Sequence, residues 1–200
     1  MATFYFRPAT GNWSAAGTWS DTSGGASNGN VPDATTDCVL DAGSGAFALT
    51  VDGTSGSPNL CKSLVCTGFT NTLTMGASAY IKMGEGQAAG NLTIVSGMTF
   101  SPNATATIEF MHTSGTSVIT SGGKNMPKPI YSGAGGTWQY ADNQTLASSA
   151  QPVTLTLGTL DTNSKTMTGI FSSTGTGTRA LILGATSWTV GGSTTTGIVW

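Results

Sequence analysis

The feature that most limits what this chain can become is the length and spacing of its apolar runs. They are short pulses, Leu49-Thr50-Val51, Leu73-Thr74-Met75, Leu92-Thr93-Ile94-Val95 and Leu155-Thr156-Leu157, separated by stretches of Gly, Ser and Asn. Three or four residues cannot make an amphipathic helix, which needs about 12 residues in 3.6-fold register. They can make a strand. The Cβ-branched residues Thr, Val and Ile lose rotamers in a helix and suit a pleated surface, while Gly, Ser and Asn supply turns. The chain is therefore expected to be all-β, built from many short strands.

The background around the pulses is 35 Thr, 22 Ser and 29 Gly, against 7 Lys+Arg and 9 Asp+Glu in 200 residues. A net charge of −2 gives no self-repulsion that would keep such a chain disordered, and its apolar residues recur regularly. The cations Arg7, Lys62, Lys82, Lys124, Lys128, Lys165 and Arg179 are spread along the whole length. Nucleic acid is not expected as a partner, because displacing phosphate counterions needs clustered positive charge. Membrane insertion is not expected either, since no run of about 18 apolar residues occurs. Residues Met1 to Pro8 lack the apolar core of a secretory signal, so synthesis in a cytoplasm and exit by lysis or assembly are expected.

From Asp37 onward the pulses follow a loose repeat. Leu73 and Met98, Ile94 and Ile119, and Leu146 and Phe171 are each 25 residues apart, and Leu155 and Leu181 are 26 apart. Trp138 and Trp188 lie at twice that interval. A period near 25 with two or three strands per period predicts a β-solenoid, parallel β-helix-like, in which equivalent residues stack into ladders. Gly53–Gly56, Gly84–Gly90, Gly122–Gly123, Gly133–Gly136 and Gly191–Gly192 are the expected corners, supplying positive φ. In Val153-Thr154-Leu155-Thr156-Leu157 the apolar residues should face inward and the threonines outward, bonding to threonines of the next coil. A β-sandwich is the alternative, because strand spacing alone does not separate the two.

Residues 1–36 read differently and are expected to form an N-terminal cap or attachment segment, with the repetitive part running from 37 to 200. Trp13 and Trp19 stand six apart near the chain end, where large aromatics could cover the open end of a stack of strands.

The segment Thr156-Leu157-Gly158-Thr159-Leu160-Asp161-Thr162-Asn163, followed by Met167-Thr168-Gly169-Ile170-Phe171-Ser172-Ser173, Thr178-Arg179-Ala180-Leu181-Ile182-Leu183-Gly184 and Ser187-Trp188-Thr189-Val190, resembles repetitive β-solenoid proteins of bacteriophage virions. The opening, Asn12-Trp13 to Trp19, then Val31-Pro32 and Asp37-Cys38-Val39-Leu40-Asp41, resembles the start of such proteins. The likeness covers about two-thirds of the chain. It implies a structural component of the virion surface, a tail fibre or capsid-surface fibre serving assembly and host attachment. The implied partners are other virion proteins, further copies of the chain (a trimer in the style of the family) and a host surface glycan. A capsid decoration (cement) protein and a polysaccharide-degrading tailspike are the alternatives. The chain stops in mid-pattern at Ile198-Val199-Trp200, as the front of a longer fibre would.

The residues give little support to catalysis, and no enzyme activity is expected. Glycoside hydrolysis needs two carboxyls on one cleft. Asp37 and Asp41, four apart, could project the same way from one strand, but acids flanking Val39 more often mark strand ends. Asp33, Asp37 and Asp41 lack the dense spacing of a Ca²⁺ loop. The single histidine, His112, has no nucleophile elbow around it and reads as a surface or satisfied side chain. Cys38, Cys61 and Cys66 read as buried reduced thiols, and residues 61 and 66, five apart on an extended strand, would face opposite ways. No cofactor or metal is expected. Trp138, Tyr140 and Trp188 are the expected sugar contacts if they are exposed, since each joins an apolar face to a polar tip; inside a ladder they would be core.

Overall fold

The structure, a computed structural model, describes residues 1–189 except Thr10, Ser149 and Thr174, together with the backbone of Ile198 and Val199. The expected Gly191–Gly192 corner, Val190 and Trp200 lie outside the described residues. The chain is a β-solenoid of about seven turns. A stacking distance of roughly 4.8 Å makes it about 34 Å long.

The first turn consists of β1 (Thr3–Phe6) and β2 (Gly11–Asn12), then a short 3-10 segment, Ala16–Thr18, leading back into β3 (Trp19–Ser20). Triplets follow, one strand per face. They are β4 (Asp37–Val39), β5 (Leu49–Val51) and β6 (Asn59–Cys61), then β7 (Ser63–Val65), β8 (Thr72–Met75) and β9 (Tyr80–Met83). Next come β10 (Leu92–Thr93), β11 (Thr99–Pro102) and β12 (Thr107–Phe110), and β13 (Thr116–Thr120), β14 (Asn125–Met126) and β15 (Lys128–Tyr131). The later turns hold β16 (Thr137–Tyr140), β17 (Gln144–Leu146) and β18 (Pro152–Leu155), then β19 (Gly158–Asp161), β20 (Met167–Thr168) and β21 (Ile170–Ser172). The last described strands are β22 (Arg179–Ile182), β23 (Trp188–Thr189) and β24 (Ile198–Val199).

The first face is one nine-stranded sheet, β22-β19-β16-β13-β10-β7-β4-β1-β3, and the third is seven-stranded, β24-β21-β18-β15-β12-β9-β6. The second face is divided between β11-β8-β5-β2 and β14-β17-β20-β23. Pairing between turns is parallel, which excludes a sandwich of antiparallel sheets. The pairing of β3 with β1 is antiparallel, Phe6 opposite Trp19, and puts a strand over the edge that β1 would otherwise expose.

Alternation fills the interior. Phe4, Cys38, Leu64, Leu92, Ile119 and Tyr140 stack in register down the first face, and all are buried. Leu49, Leu73 and Phe100 do the same on the second face, and Ile81, Ile108 and Pro129 on the third. Each rung closes the apolar surface of the rung before it, so the core is one continuous column.

The individual pairings differ from a constant period of 25. Leu73 stacks on Phe100 rather than Met98, and Ile119 on Leu92 rather than Ile94. Leu146 and Phe171, Leu155 and Leu181, and Trp138 and Trp188 lie on different faces. The corners vary in length: 28 residues separate Leu64 from Leu92, and 21 separate Ile119 from Tyr140. Inward or outward orientation sets the register, and loops absorb the difference.

Two further expectations change. The outer threonines align, as in Thr145, Thr168 and Thr189, but these hydroxyls do not bond one another; the pairing between turns occurs at Thr162 and Thr186. Not all corner glycines supply positive φ. At Gly133 a Cβ would lie 2.0 Å from the His112 carbonyl oxygen, so close approach of two turns excludes a side chain there.

Residues 1–36 do not stand apart from the stack. β1 and β2 pair in parallel with β4 and β5, and so form its first turn. Trp13 and Trp19 are fully buried there with ring centroids 4.9 Å apart, and Trp19 Nε1 donates to the Trp13 carbonyl at 2.8 Å.

Candidate functional site

Two of the three expected sugar contacts are interior. Trp138 is 0% exposed, with His112 at 4.9 Å and Tyr131 at 5.1 Å between ring centroids. Tyr140 is 2% exposed, and its hydroxyl pairs with that of Tyr131 at 2.7 Å. Burial pushes both tyrosine pKa values upward, so the pair is neutral. Neither ring can reach a sugar, because the alternation that puts Gln139 outside puts its neighbours inside. Trp188 is half-buried, edge-on to Phe171 at 5.3 Å, with Nε1 donating to the Gly169 carbonyl.

The acids do not assemble in pairs. β4 ends at Val39, so Asp41 lies beyond the strand that carries Asp37 and instead caps the 3-10 turn Ala42–Ser44, accepting from the Gly43 amide. Asp33 accepts from the Thr35 and Thr36 hydroxyls, and the Thr35 bonds hold its carboxyl below the ordinary value. Asp142 accepts from the amides of Ser121 and Gly122, and Glu109 from Tyr80 and Ser132. Among the described residues no group of His, Cys, Asp and Glu is arranged to hold a metal ion.

His112 is 2% exposed and fully engaged. The neutral tautomer that fits its surroundings donates from Nε2 to the Thr137 carbonyl and accepts at Nδ1 from the Ser117 hydroxyl, which itself accepts from the Gly90 amide. Burial lowers the imidazole pKa. The three cysteines are buried and free. Cys61 and Cys66 both face inward because the chain bends at Lys62 between β6 and β7, and burial next to Cys61 pushes the Cys38 thiol well up.

What remains open to ligands is the exterior, and one of its depressions lies on the first face. A groove of about 410 Å³ is lined by Thr3, Asp37, Val39, Lys62, Ser63, Val65 and the strip Ala89–Asn91. Val39 stacks on Val65 and Asp37 on Ser63, which puts an apolar column beside a polar one. The loop between β9 and β10 supplies the wall. Gly90 crosses Lys62 so closely that a Cβ would sit 2.2 Å from the Lys62 carbonyl oxygen. The sequence reading missed this site, since Thr3, Asp37, Lys62 and Asn91 come from four different turns. The parallel first-face ladder was its only signal. The chain matches no protein-family model, no curated protein and no solved structure.

Proposed function

We propose that the chain is a structural rod of a bacteriophage particle, part of a tail or surface fibre that serves assembly and host attachment. The observation that carries this reading is the continuous inward ladder Phe4–Cys38–Leu64–Leu92–Ile119–Tyr140. A stack in which every turn buries the previous one converts chain length into reach at about 4.8 Å per turn, and it resists bending because its core is unbroken. The sparse charge of the exterior, 16 ionisable acids and cations in 200 residues, makes such a rod insensitive to salt. Its first turn, sealed by β3 and the two buried tryptophans, forms a defined end for docking on other virion proteins. The experiment is gold-labelled antibody against this chain on intact particles of the source phage, viewed by negative stain. Label on fibres projecting from tail or head supports the reading, and particles labelled nowhere overturn it.

A further inference from the structure

We propose that the first-face groove is a binding site for an acidic saccharide, a pyranose carrying a carboxylate of the uronic-acid type. The inference deepens the attachment role proposed above and rests on it for its biological meaning. Its physical grounds are the groove's own charges. Lys62 and Asp37 line the same depression, yet no ion pair joins them; among the described residues the ion pair present is Lys82 with Glu85. Lys62 Nζ instead lies 3.0 Å from the exposed Met1 sulfur, a weak acceptor that leaves the ammonium's charge uncompensated. Asp37 accepts from Ser63 through Oδ1, which leaves Oδ2 for another donor. The Asn91 side chain spends its oxygen on the Val118 amide and keeps both N–H donors.

A ligand that engages all of these must carry an anion, hydroxyl donors and an apolar face together. A uronic acid does. Its carboxylate meets Lys62, ring hydroxyls donate to Asp37 and accept from Asn91, and the C–H face of the ring lies on Val39 and Val65. The volume, about 410 Å³, suits one or two sugar rings. The Lys62 stem is held in place, since Gly90 packs against its backbone and Cγ. A side chain restricted at its root costs less entropy to use than a free one. Two other depressions lack this combination. In one, Asp52 is already engaged by the Ser14 amide and hydroxyl; in the other, the Arg179 guanidinium is spent on Ser173, Gly175 and Gly177.

The test is titration of the full chain with a glucuronic-acid-containing disaccharide and with its neutral glucose counterpart of the same linkage, followed by amide and side-chain chemical shifts. The acidic sugar should bind at least tenfold more tightly and perturb Val39, Val65 and Asn91. Its advantage should shrink as salt is raised, because an exposed ion pair is screened. Lys62→Met, which keeps the packed stem and removes the charge, should abolish the preference without changing the thermal midpoint. Asp37→Asn should weaken both sugars. Equal binding of the two sugars, an unchanged preference in Lys62→Met, or no shift at about 10 mM ligand, where a fragment-sized site should be half filled or better, overturns the proposal. Failure here alongside gold-labelled fibres removes the groove and leaves the fibre; particles without label remove the fibre whatever the groove binds.

Discussion

Trp13 and Trp19 allow a matched experiment on what seals the first turn. Both are 0% exposed, they touch each other, and Phe in place of either removes the same pyrrole portion of an indole ring. The loss of buried area, about 1 kcal/mol, is therefore common to both variants. The difference lies in one hydrogen bond. Trp19 Nε1 donates to the Trp13 carbonyl at 2.8 Å, whereas the Trp13 indole N–H is buried with no partner among the described residues. Trp19→Phe strands a buried carbonyl, at about 1–3 kcal/mol, while Trp13→Phe removes a stranded donor and recovers a similar amount. Trp19→Phe should thus be the more destabilising by about 2–6 kcal/mol, and Trp13→Phe should be neutral or stabilising by up to about 2 kcal/mol. Because a solenoid opens locally from its ends, a global melt would blur the comparison. Native-state hydrogen exchange at the amides of β1 and β4 reads the relevant opening. Equal loss of protection in the two variants, or a greater loss in Trp13→Phe, would refute the assignment of that hydrogen bond as the seal.

Three other outcomes are expected. The pKa of His112 is lowered in the folded chain, so its stabilising contribution is complete above the ordinary value of 6.5 and is lost as pH falls below it. Urea midpoints should drop between pH 7 and 5, and His112→Gln should flatten that drop; an unchanged slope refutes the buried neutral imidazole. Tyr131 and Tyr140 have raised pKa values, so their contribution is present below about pH 10 and lost above it. Their tyrosinate absorbance should appear only together with unfolding, and smooth titration of all four tyrosines in folded protein would contradict the packing. Gly133→Ala should cost about 3 kcal/mol or more, since its Cβ would meet the His112 carbonyl oxygen, whereas Gly97→Ala, with open space around it, should be within about 1 kcal/mol of the parent in thermal melts.

The architecture was legible because it depends on alternation, and alternation is a local property. Val153 and Leu155 face in and Thr154 faces out for reasons contained in five residues. The pairings were less legible because stacking constrains orientation and not interval. Between Leu64 and Leu92 the turn at 84–87 stretches the interval to 28 while Ala88–Asn91 still bond to neighbouring turns, and a fixed period of 25 slides past the true partner of Ile119 by two positions. The same cause conceals which aromatics are exposed. Trp138 and Tyr140 are two residues apart, so they share a face; whether that face is inner or outer follows from Ser117 and Ile119 beneath them, which are buried. An aromatic in a ladder of buried partners belongs to the core, and the partners are visible only after registration.

This has a consequence for where recognition can reside in such a rod. The interior tolerates substitutions that keep volume, since any apolar side chain in register extends the column. The corners tolerate length changes, as the spread of intervals demonstrates. Neither constraint touches the outward positions, where Asp37, Ser63 and Asn91 fall in one column although they lie 26 and 28 residues apart in the chain. A binding surface on a solenoid is therefore assembled across turns from single outward residues, tied to neighbouring turns by polar bonds, as Ser63 is to Asp37 and Asn91 to Val118, and not by the apolar column. Inserting one residue in the exposed turn at Glu85–Gly86, ahead of the residues that bond to neighbouring turns, tests this separation: it should leave the melting midpoint nearly unchanged. A large fall in stability would mean that this turn too belongs to the stack, and that the groove's rim cannot vary independently of the rod that carries it.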